Sequence, residues 1–98
     1  MLYMILGYDF ADALPRRRQA RPEHIARVQV LRDAGRVVLV GPLPNVDSTD
    51  PGDAGFTGSL LVLEFPDIAA ARDWAAADAY VRERVWQRVE VLPFIRVN

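Results

Sequence analysis

Cysteine and lysine are both absent from the 98 residues, and histidine occurs once, at His24. Without cysteine there is no thiolate nucleophile, no disulfide framework and no cysteine-based metal centre. Without lysine there is no Schiff-base chemistry. Proton transfer near neutral pH must then run through His24, a carboxylate, a tyrosine or bound water. Charge of one sign is lacking too. Twelve arginines face 13 carboxylates for a net charge of -1, which gives no reason to expect a polyanionic partner. No apolar run approaches the roughly 20 residues of a membrane span. The apolar start, Met1 to Leu6, is followed by Asp9 and Asp12 without a basic leader, so it reads as a buried strand and not as a signal peptide. These absences predict one soluble, cytoplasmic domain over residues 1–98, bound to neither membrane nor nucleic acid.

What is present orders itself into strands and helices. Leu2 to Tyr8 predicts a first strand, and Phe10 to Ala20 a polar, basic connection with at most a short helical turn. Pro22 suits the first position of a helix running to about Ala34 with Ile25, Val28 and Leu31 as its stripe, and Gly35 reads as its C-cap. Arg36 to Val40 predicts a second strand, stopped by Gly41-Pro42. A loop from Pro42 to Gly55 leads to a third strand over Phe56 to Phe65. Asp67 then caps a helix to about Ala77, a short irregular or helical piece covers Asp78 to Arg84, and Trp86 to Val97 is the last strand. The order β-α-β-β-α-β predicts an α+β ferredoxin-like sandwich with a four-stranded antiparallel sheet.

The strands are apolar at both parities. Leu2, Met4 and Leu6 alternate with Tyr3 and Ile5, and Leu61 and Leu63 alternate with Leu60 and Val62. Two helices cover only one face of such a sheet, so the other face needs a second cover. A homodimer through the open sheet face is the expectation.

His24 is the first candidate for chemistry. In the first turn of the predicted helix its ring would feel the helix dipole, which favours the neutral, proton-accepting form. The competing reading is a core histidine satisfied by backbone groups. Asp78 follows Trp74 and Ala71 at i+4 and i+7, on the apolar stripe of the second helix, where a carboxylate must be paired, capped or functional. Its competing reading is an N-cap for the turn at Ala79-Tyr80. With the two helices taken as parallel, His24 and Asp78 lie about 15 Å apart in one subunit. Contact would then need a partner subunit or an inward bend after Ala77.

Other residues complete the inventory. Arg16-Arg17-Arg18 with Arg21 reads mainly as a solvated basic turn, with the further option that an arginine such as Arg21 holds a substrate carboxylate. The loop residues Asp47 and Ser48 are candidates to complete a site. The spacing Asp47, Asp50, Asp53 does not match a calcium loop, so no metal is expected. Gly52, Gly55 and Gly58 form no phosphate loop.

Several strings then resemble a known pattern. They are Arg21-Pro22-Glu23-His24, Gly35-Arg36, Gly41-Pro42-Leu43-Pro44 with Val46-Asp47-Ser48, Asp50-Pro51-Gly52, Ala54-Gly55-Phe56-Thr57-Gly58-Ser59, Trp74-Ala75 with Asp78-Ala79-Tyr80, and Val91-Leu92-Pro93-Phe94. Together, over essentially the whole chain, they resemble the YciI-like branch of the YCII-related family of small bacterial proteins. The resemblance implies a dimeric α/β barrel of ferredoxin-like subunits and an active site centred on a histidine and an aspartate, which correspond to His24 and Asp78. It also implies kinship with a dehydrochlorinase of a chlorinated hydroxyquinol and, more widely, with lactone isomerases and monooxygenases. The family usually has a proline where this chain has Ala79, which bears on how Asp78 is oriented.

The expected function is a cofactor-independent enzyme of lyase, isomerase or hydrolase type acting on a small cyclic or aromatic organic acid. His24 would move the proton, Asp78 would assist, and Ser59 or an arginine would bind the oxygen. The alternatives are a small-molecule binding or sensing module in the dimer cleft without turnover, and a purely structural partner.

Overall fold

The computed structural model describes all 98 residues. Its elements in chain order are β1 (Leu2–Asp9), α1 (Leu14–Asp33), β2 (Val37–Pro44), a 3₁₀ turn (Gly52–Ala54), β3 (Phe56–Glu64), α2 (Ile68–Ala76), α3 (Ala79–Arg82) and β4 (Trp86–Phe94). The strands form one antiparallel sheet in the order β2-β3-β1-β4. This is the α+β ferredoxin-like arrangement predicted from the strand and helix order. No helix is long and apolar enough to cross a membrane.

The largest departure concerns α1. It begins at Leu14, not Pro22, and Pro15 occupies its first turn, where a missing N–H costs nothing. Pro22 lies inside the helix. Its missing N–H leaves the carbonyl of Arg18, four residues earlier on an exposed face, to solvent. The stripe of α1 is therefore longer than Ile25 to Leu31 and runs through Arg17, Ala20, His24, Val28 and Leu31, all buried. Ile25 is 43% exposed. The C-terminus is as expected: Gly35 adopts φ +73, its N–H bonds Arg32 O at 3.0 Å, and Arg36 N–H bonds Leu31 O at 2.9 Å, which closes a Schellman motif.

Two strand ends also differ. β2 does not stop at Gly41-Pro42. It continues to Pro44, with Pro42 opposite Ser59, because β2 is an edge strand that can spare the donor proline lacks. β4 ends at Phe94.

The register separates the sheet's faces. Tyr3 pairs with Leu63, Ile5 with Leu61 and Gly7 with Ser59, and all six are buried beneath the helices. Tyr3, Ile5, Leu61 and Leu63 join Val28, Leu31, Phe65, Ala71, Ala75 and Val85 in the hydrophobic core. On the far face Met4 pairs with Val62 and Leu92, and Leu6 with Leu60, while Leu39 lies opposite Val62. Leu39 and Leu92 there are 48% and 51% exposed.

Helix direction follows from the ladder. β1 is antiparallel to both β3 and β4, so the helices that carry the chain back across the sheet from β1 and β3 run in opposite senses. The sequence-based assumption of parallel helices is wrong for this reason. The start of α1 and the end of α2 meet at the same end of the sheet.

Candidate active site

His24 stands in the middle of the 20-residue α1, so the expected influence of a helix N-terminus on its ring does not exist. The ring is oriented by side chains instead. It stacks on Tyr80 with centroids 4.0 Å apart and planes 11° apart, and meets the edge of Trp86 at 5.7 Å. Trp86 in turn lies edge-on to Tyr80 at 5.4 Å. Gly7 makes room for the indole: a Cβ there would sit 2.3 Å from Trp86 Cε2.

Asp78 reaches His24 within a single chain. Nδ1 of His24 lies 2.7 Å from Oδ2 of Asp78, whose carboxylate is fully buried. The predicted 15 Å separation is overturned by the antiparallel helices and by the point at which the chain leaves α2. That helix ends at Ala76, and Asp78 is extended at φ -66, ψ 148, as the N-cap of α3. Its Oδ2 also accepts the Tyr80 N–H at 3.0 Å. Capping and pairing with His24, weighed as competing roles, are performed by the same oxygen. The cap fixes the carboxylate with Ala79, and not a proline, as the next residue.

The other carboxylate oxygen, Oδ1, accepts from Arg27 Nη1 at 2.8 Å, and the same nitrogen donates to the Trp74 carbonyl at 3.0 Å. Arg27 lies over the Trp74 ring at 4.4 Å. Burial pushes the Asp78 carboxyl up, but the His24 hydrogen bond and charge, the Tyr80 amide and Arg27 outweigh it and hold the pKa below the usual carboxylate value. An ionised carboxylate only accepts, so Nδ1 carries a proton, and the neutral form of the ring presents a bare Nε2. Nε2 has no partner within the chain and is not sealed from solvent.

Nε2 has a place to act. A cavity of about 180 Å³ between α1 and the β2–β3 side of the sheet is lined by His24, Arg17, Arg21, Ser59 and Tyr80, with apolar walls that include Val40 and Leu61. Burial pushes the Tyr80 hydroxyl pKa up, opposed in part by the charges of Arg17 and Arg21, so the phenol stays protonated as a neutral donor. The arrangement provides an oriented proton acceptor, neutral hydroxyls and fixed cations around one small space.

Of the residues singled out from sequence, His24, Asp78, Arg21 and Ser59 are brought together here. Asp47 and Ser48 are not. Both lie in the exposed segment after β2, and Ser48 lines a separate groove with Pro42, Pro44 and Phe56. No group of three or more histidine, aspartate or glutamate side chains is arranged to hold a metal ion.

Arg17 was missed, having been read as part of a solvated turn. It is 5% exposed and grips Asp9 with two bonds, Nε to Oδ2 at 2.8 Å and Nη2 to Oδ1 at 2.9 Å. Nη2 also donates to Ser59 Oγ at 2.8 Å. The guanidinium lies over Tyr80 at 4.7 Å and Phe56 at 5.0 Å. The usable signal was the heptad from Arg17 to His24, two turns of one helix face.

The model of the YCII-related domain matches residues 1–95. The chain is 52% identical over 97 residues to Protein YciI of Escherichia coli O6:H1, and equally to that of Shigella flexneri, covering 99% of both chains in each case. An uncharacterised protein of Haemophilus influenzae is 40% identical over 97 residues. Among solved structures, the 5-chloro-2-hydroxyhydroquinone dehydrochlorinase of Burkholderia phenoliruptrix, in complex with 2,5-dihydroxybenzoquinone, superposes with a TM-score of 0.86 at 21% identity, covering 99% of this chain and 96% of that one. That likeness is one of fold.

Proposed function

The chain belongs to the YCII-related family, and from that premise we propose that it is a small-molecule enzyme in which His24 is the general base and Asp78 sets its tautomer. One observation carries the reading: the 2.7 Å bond from His24 Nδ1 to a fully buried carboxylate, with Nε2 left open on a cavity. A core histidine would have both nitrogens tied to backbone groups, which is not the arrangement here.

His24 would take a proton from a ring hydroxyl or an acidified carbon of a small cyclic or aromatic acid. In an elimination, the electron pair moves into the ring and a leaving group departs with its own pair. In an isomerisation, the imidazolium returns the proton at another atom. Both balance without an external electron acceptor, which fits a cofactor-independent enzyme. The fold shared with a dehydrochlorinase supports elimination as the first chemistry to try. Asp78, ionised and buried, would stabilise the imidazolium as it forms.

We place this activity in a cytoplasmic homodimer. The apolar far face, with Met4, Leu6, Leu39, Leu60, Val62 and Leu92, is what a second copy would cover.

Two measurements test the catalytic reading. Nitrogen NMR of His24 should report a neutral ring protonated at Nδ1, and an Nε2–H ring would overturn it. Chloride release from 5-chloro-2-hydroxyhydroquinone, if seen, should fall by roughly 10²–10⁴ in His24→Ala. Unchanged turnover would make His24 a packing residue.

A further inference from the structure

Ser59 Oγ accepts a hydrogen bond from Arg17 Nη2. Its own proton is therefore free to point elsewhere, and no acceptor within the chain takes it. Ser59 lines the cavity, so that O–H is available to a ligand. Arg17 is incompletely used in the same way. Nε and Nη2 are committed to Asp9 and Ser59, whereas Nη1 has no partner within the chain and is not sealed from solvent, and Arg17 lines the same cavity. Stacking on Tyr80 and Phe56 fixes the plane of the guanidinium, so these donors are aimed before any ligand arrives.

His24 and Arg17 are seven residues apart on α1, which places their backbone positions about 10 Å apart along the helix axis. The cavity thus has a proton-accepting end and a hydrogen-bond-donating end. No carboxylate lines it, while Arg17 and Arg21 both do. Its volume of about 180 Å³ is only a little above the roughly 150 Å³ that holds a benzene ring.

We infer that Arg17 Nη1 and the Ser59 hydroxyl form an oxyanion-binding end of this cavity, selecting a single-ring ligand that carries a carboxylate or phenolate oxygen. Asp9 is a positioning residue that holds Arg17 in place. The inference rests on the reading that the His24 cavity is the substrate site, and it adds the ligand's size, its charge and the residues that grip its oxygen. When His24 removes a proton, the charge that develops on a conjugated ring oxygen falls between these two donors.

The probes are benzoate and its neutral isostere benzamide, titrated into the full-length protein by calorimetry. Benzoate should bind at least about tenfold more tightly than benzamide, since its contacts are charge-assisted. Ser59→Ala should lose about tenfold for benzoate and clearly less for benzamide, whose neutral carbonyl accepts more weakly than a carboxylate. The paired change Asp9→Asn with Arg17→Gln removes both charges together, avoids stranding either one, and should abolish the preference. If the double variant does not fold, Ser59→Ala decides alone. Equal affinity for both probes, no binding of either, or a preference left undiminished by Ser59→Ala would overturn the inference. None of these outcomes alters the His24 tautomer. An Nε2–H ring would sink the general-base reading while leaving an anion preference intact, so the two failures are distinct.

Discussion

Two buried carboxylates pair with residues on α1's packed face, and their partners make them different devices. Asp9 is gripped by the forked bonds of Arg17, whose charge is permanent. Asp78 is held by a histidine, a backbone amide and a partly exposed arginine. An arginine cannot give up its proton, so the first pair is a fixed strut. A histidine can, so the second pair orients a base. The same carboxylate chemistry yields rigidity in one place and reactivity in the other.

The sharpest way to break this contrast is to remove each carboxylate in turn. Asp9→Ala strands a buried permanent cation and should cost about 3–5 kcal/mol. Asp78→Ala should cost less, about 2–3 kcal/mol, because the imidazole of His24 carries no permanent charge and Arg27 can turn to water, leaving mainly a lost cap and hydrogen bonds. Urea denaturation of both variants gives the order, and the reverse order would refute the distinction.

A change at Gly7 separates the two clusters another way. Gly7→Ala drives a methyl into the Trp86 ring that walls His24, and should cost about 1–3 kcal/mol by overpacking. The His24 ring signals should move while those of the Arg17 guanidinium stay in place.

A pH series sharpens the comparison further. The pKa of Asp78 is lowered in the folded state, so its contribution to stability is complete above the unfolded carboxylate value of about 3.9 and is lost as pH falls through the lower folded one. Melting temperatures followed downward from pH 5 should fall less steeply in Asp78→Asn than in the wild type. Parallel curves would contradict the lowered pKa.

The smallest effect belongs to a pair that is not buried. Arg18 and Asp53 lie 3.4 Å apart with side chains 59% and 99% exposed, and Asp53→Asn should change stability by less than about 0.5 kcal/mol. A larger loss would mean that burial is not what sets the first two carboxylates apart.

Much of this was legible in the residues. The strand order, the two apolar parities of the sheet, the caps at Gly35 and Asp67, and the importance of His24 and Asp78 follow from periodicity, turn chemistry and scarcity. The position of Arg17 was hidden because Pro15 and Pro22 both suit a helix start, and choosing the later one removed two turns from α1. That choice turned the first half of a packed face into a basic loop. The meeting of His24 with Asp78 was hidden because it depends on relative helix direction and on the bend after Ala77, neither of which is encoded locally. Tertiary arrangement decided both.

Asp78 Oδ2 bonds the Tyr80 amide and the His24 ring at once. The Tyr80 N–H is consequently a reporter wired to the imidazole through one shared atom. Protonating the ring, or seating a molecule against Nε2, redistributes electron density on that oxygen and must alter the amide's resonance and its exchange with deuterium. A single backbone signal can thereby register occupancy of the cavity before any substrate is known.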